Sequence, residues 1–286
     1  MTPWTDRAGR FSPLKAIVLV AAFGPALALS YALATGGAGP RPYDFAIHET
    51  GEWTIRFLLA SLAVTPLRRI IQWPRLILVR RMLGLTALAY AIAHLSLYAL
   101  DQNLDLGKIA SEIVLRIYLL IGFVTLLGLA ALGVTSTDAA IRRMGRNWSR
   151  LHAIVYGLAA MGLLHYFMQS KVDVSLPTIY AGVFLLLMLY RRAHASGLPL
   201  SPPVLAGVAV VAVAGTMALE SAWYGLATGV PVERIFYANF NFAVMIRPSW
   251  WVGAIGMAVA ALALVRGGFG GERPFSAGGR RGAAAG

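Results

Sequence analysis

The stretch RRMLGLTALAYAIAHLSLYAL at residues 80–100 places a histidine inside an apolar run of membrane-spanning length. A helix needs about 20 apolar residues to cross roughly 30 Å of hydrocarbon, so the stretch predicts one spanning helix. Ionisable residues within spanning helices are rare, and they usually mark functional sites. His94 is therefore the first candidate functional residue.

The rest of the chain repeats this apolar pattern. The 286 residues are 58% hydrophobic and 13% charged, whereas about a quarter of an average soluble domain is charged. Eight apolar runs follow one another, at 16–35, 53–67, 82–100, 117–134, 151–168, 176–190, 203–227 and 249–265. We interpret the chain as an all-α, polytopic transmembrane helical bundle with about eight spans.

The net charge of +13 is arranged as a topology signal. With a cytoplasmic amino terminus, most of the 25 Lys and Arg fall in inner segments, and most of the 12 acidic residues fall in outer ones. This is the positive-inside bias of membrane proteins. We therefore predict that both termini are cytoplasmic, that lipid surrounds the bundle and that nucleic acid is not a partner.

Histidine is the soft metal ligand that this chain offers. The absence of cysteine excludes disulfides, iron–sulfur clusters, thiolate-ligated haem and covalent haem attachment. His48 and His194 fall in loops between apolar runs, where we expect solvated side chains. His94, His152 and His165 fall in the third and fifth runs, and they are the candidate site residues.

His94 and His165 are predicted to lie at a similar depth, because the third and fifth runs cross the membrane in the same direction. Two imidazoles that reach inward from facing helices can hold one haem iron as axial ligands. Two alternatives remain open at this point. Intramembrane histidines also form hydrogen bonds between helices, and they serve as proton relays in transporters.

His152 suggests a second cofactor site nearer the inner surface. It precedes His165 by 13 residues, which is about 20 Å and about 140° around a helix. A shared face would need a bend, which we expect at Gly157 or Gly162. No histidine stands at the inner end of the third run, where Arg81 could pair with a haem propionate or a flavin phosphate. Arg81 could equally be one of the inner topological charges.

Four stretches together resemble one family of membrane proteins. They are TGEWTIRFLLASLAVTPLRR at 50–69, RRMLGLTALAYAIAHLSLYAL at 80–100, GFVTLLGLAALGVTST at 122–137 and NWSRLHAIVYGLAAMGLLHYFMQSK at 147–171. Through them, residues 50–194 resemble the MsrQ family, also called YedZ. Its members are haem-binding membrane subunits of a periplasmic methionine sulfoxide reductase system.

The resemblance implies a ferric-reductase-like core with one or two b-type haems in a bacterial inner membrane. By motif position, His94, His152 and His165 correspond to the family's haem-associated histidines. The resemblance further implies FMN as a second cofactor and a quinol or flavin electron donor. The acceptor would be a periplasmic molybdenum-containing catalytic subunit, MsrP, so this chain would be an electron-transfer subunit without catalytic residues of its own.

The resemblance also divides the chain into four parts. Residues 1–49 form a first span and an outside loop, 50–194 the haem-binding core, and 195–266 an extension with two candidate spans. Residues 267–286 are rich in Gly and Arg, and we expect them to be disordered. Because the extension departs from the six-span form of the family, a ferric reductase or a quinol-linked cytochrome b with another acceptor remains an alternative, and a proton-coupled transporter is a more distant one.

Overall fold

Helices account for nearly all the regular structure of the chain, as seen in a computed structural model that describes residues 4–5, 9–170 and 173–269. In chain order the α-helices are α1 (Pro13–Ala34), α2 (Pro42–Ile70), α3 (Arg80–Asp101), α4 (Leu106–Leu115), α5 (Ile117–Val134), α6 (Asp138–Met144), α7 (Arg146–Ala153), α8 (Val155–Gln169), α9 (Ser175–Ala195), α10 (Pro202–Thr228), α11 (Val232–Ala238) and α12 (Pro248–Phe269). A short 3-10 helix, Pro74–Val79, leads directly into α3.

The described residues contain seven helices that are long and apolar enough to cross a membrane. They are α1, the 3-10 helix with α3, α5, α7 with α8, α9, α10 and α12. The 29-residue α2 is also of spanning length, although its charged residues make it less apolar than the others. The prediction of an all-α polytopic bundle is confirmed, and the short run 53–67 proves to be part of this long helix.

Local sequence signals explain where several helices begin and end. Prolines occupy the first turn of α1, α2 and α10, where a missing N–H costs no helical hydrogen bond. The Asp105 side chain accepts a hydrogen bond of 2.9 Å from the backbone N–H of Lys108 and so caps α4. Gly229 ends α10 in the left-handed conformation with φ 69°, which glycine adopts without steric cost.

The fifth apolar run is interrupted between its two histidines. The span Arg146–Gln169 consists of α7 and α8, which are separated at Ile154. The helix is thus interrupted at Ile154 and not at Gly157 or Gly162, where we expected a bend. Gly162 serves close packing, because a Cβ atom there would lie 3.3 Å from the side chain of Ile55 on α2.

The core of the bundle lies around α2. Its buried residues include Leu58, Leu62 and Val64, and they pack against α3, where Ala87 is fully buried. α5 and α8 form a second closely packed pair beside them. These four helices enclose the space into which His94 and His165 project.

The C-terminal extension packs tightly on the bundle through α9. A Cβ atom added to Gly182 of α9 would lie 2.5 Å from side-chain atoms of both Thr216 on α10 and Val252 on α12. A Cβ atom at Gly256 of α12 would lie 2.6 Å from Ala209 of α10. Contacts this close are possible only because glycine has no side chain, so α9, α10 and α12 form one closely packed unit.

A buried polar cluster joins the C-terminal end of α10 to the segment between α11 and α12. Glu220 of α10 is 1% exposed, and its carboxylate lies 3.1 Å from the Arg247 guanidinium. The Asn239 amide lies 3.3 Å from the Glu220 carboxylate and accepts a 2.6 Å hydrogen bond from Ser249. Glu220 is thus paired with Arg247.

The carboxyl-terminal tail was predicted to be disordered over residues 267–286. Helix α12 continues to Phe269, and the remaining residues of that prediction lie outside the described part of the chain. The disorder of the tail therefore stays a prediction.

Tyr90 fastens α1, which otherwise has few contacts with the bundle. Its hydroxyl group donates to the carbonyl of Ala22 at 2.9 Å and accepts from the N–H of Ala26 at 3.0 Å. The hydroxyl group therefore lies between the Ala22 carbonyl and the Ala26 N–H, which would bond to each other in a regular helix. Pro25 lies beside them and has no N–H to donate. The hydroxyl bridges the helix where proline disturbs it.

We expect Tyr90→Phe to loosen α1 selectively. The substitution leaves the buried Ala22 carbonyl and the Ala26 N–H without their partner, which costs about 1–3 kcal/mol. Hydrogen exchange at the Ala26 amide measures this loosening, and exchange should become faster. Tyr31→Phe is the control, because that side chain is 72% exposed. Equal exchange rates in wild type and Tyr90→Phe would contradict the role given to this hydroxyl.

Candidate functional site

A cavity of about 320 Å³ opens between α2, α3, α5 and α8. Its walls include apolar side chains such as Leu58, Leu126 and Leu129. His94 and His165 both line this cavity. The structure therefore brings together the two histidines that the sequence predicted to lie at one depth.

The two imidazole rings face each other across the cavity. Their centres are 6.3 Å apart, and their planes are inclined at 87°. An imidazole nitrogen lies about 2 Å from a transition metal that it binds, and the ring centre lies about 1 Å behind that nitrogen. Two rings on opposite sides of one metal ion are therefore separated by roughly 6 Å. The observed separation matches this value.

Backbone carbonyl groups fix the orientation of both rings. Nδ1 of His94 lies 2.8 Å from the carbonyl oxygen of Ile47, and Nδ1 of His165 lies 2.8 Å from that of Tyr118. A carbonyl oxygen can only accept, so each Nδ1 carries the hydrogen and donates it. The neutral ring then has its lone pair on Nε2, which is the arrangement typical of metal-binding histidines.

Two glycines provide the space in which the rings lie. A Cβ atom at Gly51 of α2 would lie 3.0 Å from Nδ1 of His94. At Gly122 of α5 it would lie 2.8 Å from both Nδ1 and Cε1 of His165. Because each ring is also held by a carbonyl group, it could not move aside without breaking a hydrogen bond. Each imidazole thus rests against a backbone surface that only glycine leaves open.

A polar cluster that sequence reasoning missed lies beside the cavity. Glu52 lines the cavity wall and forms an ion pair with Arg56. The Tyr180 hydroxyl, on α9, donates to Glu52 at 2.7 Å and accepts from Nε of Arg56 at 2.7 Å. The Arg56 guanidinium also lies 4.4 Å from the ring centre of Trp53. The available signal was a Glu and an Arg four residues apart inside an apolar helix.

His152 and Arg81 lie away from this cavity. Nε2 of His152 is 3.1 Å from the Thr135 hydroxyl, and its ring is stacked on Trp148 with 3.9 Å between centres. Arg81 forms an ion pair with Asp138, and both side chains are about half exposed. The structure does not bring a second histidine toward His152. The cofactor roles of these two residues stay predictions.

Comparison with known proteins relates the chain to one family. Residues 50–163 match the family model described as ferric reductase like transmembrane component. Three relatives are each named protein-methionine-sulfoxide reductase heme-binding subunit MsrQ. The Caulobacter vibrioides protein is 41% identical over 177 residues, which cover 61% of this chain and 84% of that protein.

The other two relatives give similar values. The Rhodospirillum rubrum protein is 41% identical over 192 residues, covering 66% of this chain and 90% of the relative. The Herminiimonas arsenicoxydans protein is 37% identical over 182 residues, covering 62% and 84%. No solved structure matches the chain. With most of each relative's length covered at this level of identity, and with a polytopic helical fold, the chain belongs to the MsrQ family of ferric-reductase-like membrane proteins.

Proposed function

We propose that this protein is the haem-binding, electron-transferring membrane subunit of a methionine sulfoxide reductase system, with His94 and His165 as axial ligands of one b-type haem. The observation that carries the proposal is the pair of facing imidazoles 6.3 Å apart, each oriented by a carbonyl group. The family relatives, which are named heme-binding subunits, support the same cofactor.

The residues around the cavity fit a haem held in this way. The two Nε2 atoms supply the axial donors, and leucine side chains of α2 and α5 exclude water from the iron's surroundings. The carbonyl groups of Ile47 and Tyr118 keep both imidazoles in the neutral, iron-binding tautomer. When bound, the haem supplies reversible one-electron chemistry of its iron, which the protein orients and tunes.

The partners of this electron transfer form part of the proposal. Electrons come from a quinol or flavin donor, and FMN is the second cofactor. They leave to a periplasmic, molybdenum-containing catalytic subunit of the MsrP type, with which this chain forms a heterodimer. We propose one haem at His94 and His165, and a second haem at His152 stays a prediction.

The topology of the proposal follows from the charges. We place the protein in a bacterial inner membrane with both termini in the cytoplasm, because Lys and Arg are concentrated in the segments between the inner helix ends. The cavity with His94 and His165 then lies in the periplasmic half of the bundle. This position brings the haem close to a periplasmic acceptor.

Oxidation of the reduced protein by its acceptor tests the function. The purified protein should show a b-type haem spectrum, and after reduction it should be reoxidised by the molybdenum-containing subunit only when a methionine sulfoxide substrate is present. Reoxidation by a ferric chelate, without response to that subunit, would instead assign the ferric reductase alternative. A colourless protein would refute both.

We expect Glu52→Gln to raise the midpoint potential of the haem. Reduction removes a positive charge from the iron centre, so the negative carboxylate favours the oxidised state, and its removal favours the reduced state. About 1 kcal/mol of Coulomb energy corresponds to about 40 mV in a one-electron couple, so a shift of some tens of millivolts is expected. A spectroelectrochemical titration measures the shift. Glu233→Gln on α11 is the control, and a lowered potential in Glu52→Gln would contradict the proposal.

A further inference from the structure

Buried polar atoms without partners are concentrated at the inner ends of α2 and α9. Among the described residues, eight buried side-chain atoms make no hydrogen bond, and four of them are Thr65 Oγ1, Arg68 Nε, Tyr190 OH and Arg191 Nε. A buried donor without an acceptor costs about 1–3 kcal/mol. These atoms lie far from the histidine cavity, because Arg68 follows Ile47 by roughly 30 Å along α2.

Arg191 extends from α9 toward α2 and is held in place. Its two terminal nitrogens donate to the carbonyl groups of Leu187 at 3.1 Å and Leu62 at 2.5 Å. Its guanidinium carbon lies 5.3 Å from the centre of the Tyr156 ring. These contacts fix the side chain, but none of them supplies a negative charge. The positive charge of Arg191 therefore has no counter-charge among these contacts, and its Nε–H has no acceptor.

The surroundings of Arg191 add positive charge. Arg69 and Arg80 are near enough to repel it electrostatically. In the part of the chain that the structure describes, none of these three arginines, nor Arg68, has a carboxylate within 4.0 Å. Arg81 differs from them, because it pairs with Asp138. A partly buried charge without a counter-charge is costly, so the missing partner is an anion.

We propose that the inner ends of α2 and α9 bind a phosphate group through the Arg191 guanidinium. The planar guanidinium group matches the geometry of phosphate oxygens and forms short, charge-assisted hydrogen bonds with them. The hydroxyl groups of Thr65 and Tyr190 are further donors. The site lies where two spanning helices end, which is the depth of lipid headgroups. An acidic phospholipid is one source of the phosphate, and a soluble flavin nucleotide is the other.

The test compares neighbouring arginines in the intact, haem-loaded protein. Native mass spectrometry counts retained lipids, and thermal melting is followed with dioctanoyl phosphatidylglycerol, dioctanoyl phosphatidylcholine, inorganic phosphate and FMN as separate probes. The variants are Arg191→Gln and Arg191→Lys. The matched control is Arg192→Gln, which removes an adjacent, exposed guanidinium that bonds to Ser196 at 2.6 Å. An unchanged haem spectrum verifies that each variant is folded.

We expect the phosphate probe that binds to bind about tenfold more weakly to Arg191→Gln than to wild type or Arg192→Gln. The affinity of Arg191→Lys should be intermediate, because lysine keeps the positive charge but lacks the planar guanidinium group with its several N–H donors. Binding of phosphatidylglycerol but not phosphatidylcholine assigns the site to acidic lipid, and binding of FMN or inorganic phosphate assigns it to a soluble compound. If no phosphate probe binds, or if Arg192→Gln loses binding equally, the proposal is overturned.

Discussion

Replacing His165 by alanine is expected to abolish haem binding and with it the visible absorbance of the protein. The ring is held at Nδ1 by the Tyr118 carbonyl and faces His94 across 6.3 Å. His48 also lines the cavity, but its side chain is largely exposed and its Nδ1 lies 2.7 Å from the Asp44 carbonyl oxygen. His94→Ala should have the same effect, because each substitution removes one of the two facing imidazoles. The measurement is the ratio of Soret to protein absorbance after purification in detergent.

The control for these variants is a histidine of the same chain that lies outside the cavity. His194 is exposed near the inner end of α9, so His194→Ala should leave haem content unchanged. Circular dichroism would verify that all three variants remain helical. Full haem content in His165→Ala, with helicity intact, would refute the proposed axial pair.

Gly122→Ala is expected to lower haem retention although it adds only one methyl group. That methyl carbon would lie 2.8 Å from two atoms of the His165 ring, so the ring must move and weaken its bond to Tyr118. Overpacking of this kind costs about 1–3 kcal/mol, which corresponds to roughly a five- to 150-fold loss of haem affinity. Haem loss to excess apomyoglobin measures the effect.

Gly157→Ala on α8 is the matched control for Gly122→Ala. A Cβ atom at Gly157 would meet nothing within 4 Å, so this variant should retain haem as wild type does. Both variants add one methyl group to a helix, but only the methyl group at residue 122 contacts a histidine. Equal haem retention in both would show that the glycine surface beneath His165 is not required.

Much of the fold could be predicted from the sequence because apolar length and charge asymmetry are local signals. The helices and the predicted equal depth of His94 and His165 follow from such signals. His48 and His194, which were predicted to lie in loops, instead lie on α2 and α9, and their side chains are exposed as expected. Each helix spans a fixed distance per residue, so depth follows from counting. The direction in which a side chain points around the helix axis is harder to predict, because it changes wherever the helix is interrupted. The interruption at Ile154 has no such local signal and was not predicted.

The details of the site depended on contacts between distant parts of the chain. The carbonyl groups that hold the two imidazoles belong to Ile47 and Tyr118, each 47 residues away from its histidine. Backbone carbonyls have no signature in the sequence, because every residue has one. Likewise, nothing local to Glu52 indicates that its partner Tyr180 lies 128 residues further along the chain.

The glycine at position 182 has a consequence for the length of the protein. It leaves a groove along α9 that is filled by Thr216 and Val252, so ending the chain near residue 200 would open a furrow in the outer wall of the bundle. Lipid tails would have to fill that furrow, or a larger side chain would have to replace the glycine. A form of this protein shortened to six spans should therefore melt at a lower temperature. Gly182→Leu should restore the melting temperature of that form, because the larger side chain fills the furrow.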